Sequence, residues 1–331
     1  MDHENENEKN CSSSSAIYMT YHSAYKAPTI LSFLQLLPTL LIFASASAQA
    51  ASSFIPHNPY NEPPIQSSIV TSINRDQNNK ARSEVKMRAW TCHGRTQKEM
   101  VEKLASAGII KHKPTQEAMT KVDRANYAGG RSGAYVDAPQ PIGCGQTISA
   151  PHMHAHALEE LMPTLQKAAQ DHPDTELKML DVGCGSGYLT ACFGRLVDRG
   201  PNGPTLPVKG RVYGIDAWSE LVDFSRANMM KEDSDLFDSG TVSLQFGDGW
   251  EGLPDAGPFN AIHVGAAAAT FPKSLMQQLA VDGVMVIPVG PDGGVQNLYN
   301  VRKIKDSPKF DEDDYVIKNL LGVRYVPLFH P

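Results

Sequence analysis

Beyond residue 95, apolar positions recur in two rhythms. Met100, Val101 and Leu104 fall on one face of a helix predicted over residues 96–107. A second helix is predicted over 114–122, opened by Pro114-Thr115, and a third over 154–168, where Leu158, Leu161 and Leu165 form one stripe. Short apolar runs then alternate with helical stretches. Strands are expected at 178–182, 211–215, 241–246, 259–264 and 283–288, and helices at 187–197, 218–230 and 272–280. That alternation predicts an α/β fold, a doubly wound, mostly parallel sheet with helices on both faces. Two later runs, 297–304 and 315–327, are richer in β-branched and aromatic residues and predict an added antiparallel edge at the C-terminal end. Residues 125–151 are rich in Gly and Pro with little periodicity, and predict a long ordered loop of the kind that often carries function. Residues 199–210 predict a surface loop.

The first 86 residues follow neither rhythm. Residues 1–18 are polar and acidic, then Ser-rich, and read as disordered. Lys26 precedes an apolar run, 30–43, that ends in Ala-Ser-Ala-Ser-Ala-Gln-Ala, the order of a secretory signal peptide. The run is too short and interrupted for a membrane span. Residues 51–86 are rich in Ser, Asn, Pro and Gln, the composition of a linker or transit segment. The expected organisation is therefore a targeting-like extension over 1–86, with its signal-like run at 30–50, and one folded domain over 87–331. Whether the extension targets the protein or plays no folded role stays open.

Composition narrows the chemistry. A net charge of −6 and a pI near 6.0 argue against a nucleic-acid partner, which calls for a basic face. Five cysteines, none in a C-x-x-C pair, argue against a disulfide framework and against a zinc site.

The strand ends are where such a sheet binds ligands. The first predicted strand runs into Asp181, then Gly183-Cys184-Gly185-Ser186-Gly187. Glycines here admit positive φ and a close ligand, and the following helix N-terminus favours an anion. The third glycine stands one residue earlier than in the dinucleotide fingerprint, and Tyr188 takes its place. An acid just before the first glycine is instead the pattern of S-adenosylmethionine sites, where it can face the cofactor's ammonium group. The second strand ends at Asp216, suited to accept both ribose hydroxyls or to cap the next helix. The third ends at Asp248-Gly249, suited to an adenine amino group or to a plain turn. The fourth ends in His263-Val-Gly-Ala-Ala-Ala, whose small residues leave room for a substrate. The 137–154 segment adds Thr147, Ser149, His152 and His154. Its His-x-His lacks further ligands at zinc spacing, no nucleophile elbow is present, and Ser149 suits a helix N-cap.

Together, Thr147-Ile148-Ser149-Ala150-Pro151-His152-Met153-His154-Ala155, Leu180-Asp181-Val182-Gly183, Leu189-Thr190-Ala191-Cys192-Phe193, Gly214-Ile215-Asp216, Ala261 to Ala268 and Ile287-Pro288-Val289-Gly290 resemble the protein-L-isoaspartate (D-aspartate) O-methyltransferase family over about residues 87–328. Met87-Arg88-Ala89-Trp90 resembles the family's usual start. The resemblance implies a Rossmann-like, S-adenosyl-L-methionine-dependent methyltransferase fold. It implies methyl transfer to the α-carboxylate of isoaspartyl residues in damaged proteins and peptides, with repair through a succinimide. By the same resemblance Ser149 matches the active-site serine, and Gln146, Thr147, Ile148, His154, Ser186, Asp216, Asp248 and Gly249 match positions near the cofactor. A cytoplasmic monomer without membrane insertion is the family default, with the secretory pathway or an organelle as the alternative if the 30–50 run is used. Phe329 stands where a Thr often follows Val-Pro-Leu, and three residues follow Leu328 where the family carries a polar tail, so the family's C-terminal contact is not carried over. The rival readings are a methyltransferase for a small molecule or RNA, and a non-catalytic adaptor that binds damaged proteins.

Overall fold

The computed structural model describes residues 91–130 and 132–331. The extension expected over 1–86, its signal-like run, and residues 87–90 lie outside the described residues. Among the described residues no helix is long and apolar enough to cross a membrane.

Helix α1 (Gln97–Ser106) is capped by Thr96, whose hydroxyl accepts from Glu99 N at 3.2 Å. Helix α2 (Lys113–Lys121) carries Pro114 in its first turn, where no intrahelical donor is lost. The segment expected to be a long loop contains a 3₁₀ turn, Arg124–Asn126, and a hairpin of β1 (Gln140–Gly143) with β2 (Gln146–Ile148). Cys144 and Gly145 turn the hairpin at φ +50° and +69°, the paired positive values of a type I′ connection.

Helix α3 (Pro151–Asp171) starts three residues earlier than its apolar stripe suggested. Ala150, not Ser149, is the N-cap residue, and it offers no side-chain bond. Asp137 serves instead from the preceding loop. Its Oδ1 accepts from His152 N at 3.0 Å and His152 Nδ1 at 2.6 Å, and its Oδ2 from Cys92 N at 3.3 Å. Such a cap, 15 positions from the N–H it serves, has no local signature.

The sheet comprises β3 (Leu177–Val182), β4 (Gly210–Asp216), β5 (Val242–Phe246), β6 (Phe259–Val264), β7 (Leu279–Val289), β8 (Gln296–Lys303) and β9 (Tyr315–Val323), in the order β5-β4-β3-β6-β7-β8-β9. The first five are parallel and the last two antiparallel, as the two kinds of strand composition predicted. Helices α4 (Tyr188–Leu196), α5 (Ser219–Glu232), α6 (Asp235–Asp238) and α7 (Lys273–Gln277) connect them. Successive strand residues feed opposite cores: Met179, Ala261 and Val286 pack on one face, Leu180, Ile262 and Ile287 on the other. Strand β7 begins at Leu279, so the helix expected over 272–280 shortens to five residues. A bulge between Phe259 and Ala261, with Asp282 at φ +66°, accommodates the extra length.

The 199–210 segment is more than a surface loop. Leu206 and Val208 are buried, and Leu206 N bonds to Leu196 O at 2.9 Å. The buried Arg195 guanidinium beside it bonds Asp233 and Asp235, and Asn202 reaches the same Asp235 at 2.9 Å.

Candidate active site

Strand order reverses at β3, which pairs with β4 on one side and β6 on the other. That reversal opens a crevice at the carboxyl ends of the strands. Gly183 lies against Gly265 there, and Gly265 N donates to Val182 O at 2.8 Å.

The glycine loop after β3 turns through left-handed backbone, with Gly183, Gly185 and Gly187 at φ +72°, +56° and +86°. A Cβ on Gly187 would stand 3.2 Å from Ser225, and one on Gly185 3.2 Å from Ile142. The N–H groups of Gly183 and Cys184 go to Ile215 O. Gly185 N donates to Asp216 Oδ2 at 2.9 Å, and Trp218 N to Asp216 Oδ1 at 3.1 Å. Each oxygen keeps a lone pair for a further donor. Burial pushes the Asp216 carboxyl above the ordinary range, outweighing those two bonds. A ligand that brings hydroxyl donors therefore finds a carboxylate short of solvation.

Two adjoining clefts meet over this loop and share Thr147, Gly183, Gly185 and Gly265. The larger, about 520 Å³, is lined by Gln146, Asp216, Trp218 and Gly249 and closed by Val326 to Phe329. The smaller, about 340 Å³, is lined by Ile148, Ser149, His154, Asp181, Ser186 and His263. Of the site residues expected from the sequence, all but Asp248 line one cleft or the other, brought from β2, α3 and the ends of β3, β4 and β5. Asp248 stands beside Gly249, where a Cβ would meet Leu328 at 2.8 Å and Val182 at 2.9 Å. The C-terminal tail does lie over the cleft, despite Phe329.

Several residues of the site gave little signal in the sequence. Arg124, wholly buried, reaches Ser149 O at 2.7 Å, His154 Nδ1 at 3.2 Å and Ala134 O at 3.0 Å, and lies over the Tyr188 ring. Burial lowers its pKa to about 10, which leaves it cationic. Burial and that neighbouring cation push His154 well below the usual histidine value, so the imidazole is neutral. Tyr325 is pushed up to about 12 by burial, which outweighs the opposite pull of the neighbouring Ser149 hydroxyl. His263 Nδ1 meets Asp181 Oδ1 at 2.8 Å, and Thr190 takes the other oxygen. Asp181 therefore faces the smaller cleft with both oxygens already engaged. A histidine inside the apolar strand Phe259–Val264 was the one signal that could have pointed to this pair. Among the described residues no three His, Cys, Asp or Glu side chains gather as a metal site.

These residues fit a nucleoside joined to an amino acid: a buried carboxylate awaiting hydroxyl donors in one cleft, bare glycine backbone between, and a polar chamber beyond. The profile of the protein-L-isoaspartate (D-aspartate) O-methyltransferase (PCMT) family matches residues 95–330. A protein-L-isoaspartate O-methyltransferase of Caenorhabditis elegans is 38% identical over 240 residues, 72% of this chain and 95% of that protein. One of Triticum aestivum is 41% identical over 230 residues, 69% of this chain and 89% of that protein. A Plasmodium falciparum crystal structure described as a protein-L-isoaspartate O-methyltransferase, in complex with S-adenosyl-L-homocysteine, superposes with a TM-score of 0.58 at 29% identity, over 71% of this chain and 98% of that one. With sequence, fold and cleft in agreement, the chain belongs to the protein-L-isoaspartate (D-aspartate) O-methyltransferase family.

Proposed function

We propose that the paired clefts bind S-adenosyl-L-methionine and direct its methyl group to the free α-carboxylate of L-isoaspartyl, and of D-aspartyl, residues in damaged proteins. The observation that carries this reading is the meeting of the Thr147–Ser149 string with the glycine loop and Asp216 at one strand-order reversal. When bound, the cofactor supplies an electrophilic methyl group on a sulfonium.

The acceptor carboxylate is ionised at neutral pH, with a pKa near roughly 4. It needs no general base, which suits a cleft with a neutral His154 and an Asp181 already committed to His263 and Thr190. The protein's task is to align and to exclude water, effects that together lower a barrier by roughly 7–11 kcal/mol. Asp216 holds the ribose hydroxyls and Asp248 the adenine amino group. Ser149, which lines the smaller cleft, has a hydroxyl proton to offer the acceptor carboxylate. Arg124 fixes the Ser149 carbonyl and places a buried positive charge beside the Ser149 end of the cleft, favouring a negative nucleophile. The methyl ester then closes to a succinimide, in the manner of the family.

The four cysteines among the described residues are free, which supports action in a reducing compartment such as the cytoplasm. Transfer of label from methyl-labelled cofactor to an isoaspartyl peptide, with loss of the label as methanol on standing at neutral pH, tests the reaction. No transfer, with intact binding of S-adenosyl-L-homocysteine, favours the adaptor reading.

A further inference from the structure

The carboxylate at the end of β5 is held by a residue of the chain's last few. Asp248 Oδ1 accepts from Trp250 N at 2.8 Å, which closes a tight side-chain turn. Oδ2 meets His330 Nδ1 at 2.8 Å. The His330 ring stacks on the Trp250 indole, centroids 5.5 Å apart and planes 18° from parallel. Trp250 Nε1 in turn donates to Leu328 O at 3.1 Å.

The tail is also pinned to the opposite wall. Ala267 N donates to Val326 O at 2.7 Å, and Leu328 N to Ala267 O at 2.8 Å. Residues 326–330 therefore bridge the Gly265–Ala268 loop and the Asp248–Trp250 turn, and backbone bonds to Ala267 on one side with the Trp250 indole N–H on the other carry His330 to its carboxylate. The intervening Phe329 lines the larger cleft.

We propose that His330 is a positioning residue for the adenine end of the cofactor, holding the Asp248 carboxylate in the orientation that accepts the exocyclic amino group. The proposal rests on the reading of Asp248 as the adenine contact. An ionised carboxylate offers about four lone-pair sites. Trp250 N and His330 Nδ1–H use one on each oxygen, so one on each remains, and the two donors stop rotation of the group. A carboxylate free to turn would lose that freedom on meeting a ligand, and the loss would subtract from affinity. Held in place, it accepts an N–H and repels a carbonyl oxygen presented at the same point. His330 thereby sets a preference for a 6-amino over a 6-oxo purine.

The test uses the full chain and two ligands, S-adenosyl-L-homocysteine and S-inosyl-L-homocysteine, titrated by calorimetry. Unsubstituted protein should prefer the adenosyl ligand by about tenfold or more, because the inosyl ligand sets a carbonyl oxygen against a half-buried carboxylate that has lost its donor. His330→Ala should weaken the adenosyl ligand by about tenfold while leaving the inosyl ligand within about twofold, so that the preference collapses. His330→Asn, which keeps a donor near the Nδ1 position, should restore most of it. The melting temperature of each variant separates these effects from loss of folding. Equal weakening of both ligands by His330→Ala would make His330 a fastener of the tail and overturn the proposal. No change with either ligand would show that Trp250 N alone orients Asp248, and would overturn it equally. Absence of any preference in the unsubstituted protein would remove Asp248 from the adenine subsite, and the proposal falls with it.

Discussion

At the scale of single residues, the site depends on carboxylates whose neighbours decide what they accept. Asp216 already holds two backbone N–H groups, yet burial keeps its pKa raised. Its ionised form is the one that would accept two ribose hydroxyls in the proposed complex. Asp216→Ala should therefore weaken S-adenosyl-L-homocysteine by roughly a hundredfold, the worth of two charge-assisted bonds, with the fold retained; calorimetry and the melting temperature together check this. Protonation removes the acceptor, so affinity should fall on acidification. The fall should begin above the ordinary carboxylate value of 3.8, because the folded value is raised. A pH series of titrations in which the fall begins at or below 3.8 would place the dependence elsewhere. Ser149→Ala should lower kcat by about tenfold or more and leave cofactor affinity within a few-fold, if Ser149, which lines the smaller cleft, aims the acceptor as proposed. Unchanged turnover would remove Ser149 from the chemistry. That Asp216 and Ser149 would reach the crevice was legible in the sequence, because one sits at a strand end and the other in a distinctive string. Arg124 and Tyr325 were not. Their roles come from partners 25 and 176 positions away along the chain, a distance over which no local pattern carries information.

At the scale of elements, the strands of the sheet were the most legible, since period-two burial and short apolar runs leave a clear mark. Helix ends were less so. Helix α3 starts where it does because Asp137 satisfies its first turn from the preceding loop. A cap that is remote in sequence looks like any loop acid, and the N-cap position falls on Ala150 rather than on Ser149, the local candidate. The 199–210 segment was read as surface from its Pro and Gly content, but Leu206 and Val208 turn it inward. Asp137→Ala leaves His152 N, Cys92 N and the His152 ring without their acceptor. It should cost roughly 2–4 kcal/mol of stability, measurable as a lower denaturant midpoint. Burial alone would raise the Asp137 pKa, but the bonds from His152 and Cys92 outweigh it and hold it lowered. A lowered folded value means that the contribution is present above the unfolded value and lost as pH falls through the folded one, below 3.8. The variant and the parent should therefore converge in stability in strong acid. A constant gap down to the lowest pH at which both fold would contradict the assignment.

At the scale of the whole molecule, sheet, glycine loop, β1–β2 hairpin and tail converge on one crevice, and each supplies a different part of it. The strand ends bring Asp181, Asp216 and the glycine loop, the hairpin and α3 bring Ser149 and His154, and the tail joins the two walls through Ala267 and Trp250. The doubly wound order was readable from alternation of strands and helices. The tail's closure over the cleft was not, because Phe329 departs from the residue expected there and only the folded backbone brings it back. What such a crevice can do that a flat carboxylate-binding surface cannot is discriminate by geometry. Aspartyl and isoaspartyl residues both carry an ionised carboxylate, so charge does not separate them. They differ in where the free carboxylate stands relative to the main chain, and a misplaced nucleophile loses the alignment on which the reaction depends. The decisive quantity is kcat/KM for methyl transfer to two peptides of identical sequence, one with L-isoaspartate and one with L-aspartate. A preference for the isoaspartyl peptide of about a hundredfold or more is expected. Equal rates for the two peptides would contradict recognition by geometry and mark the protein as a general carboxyl methyltransferase.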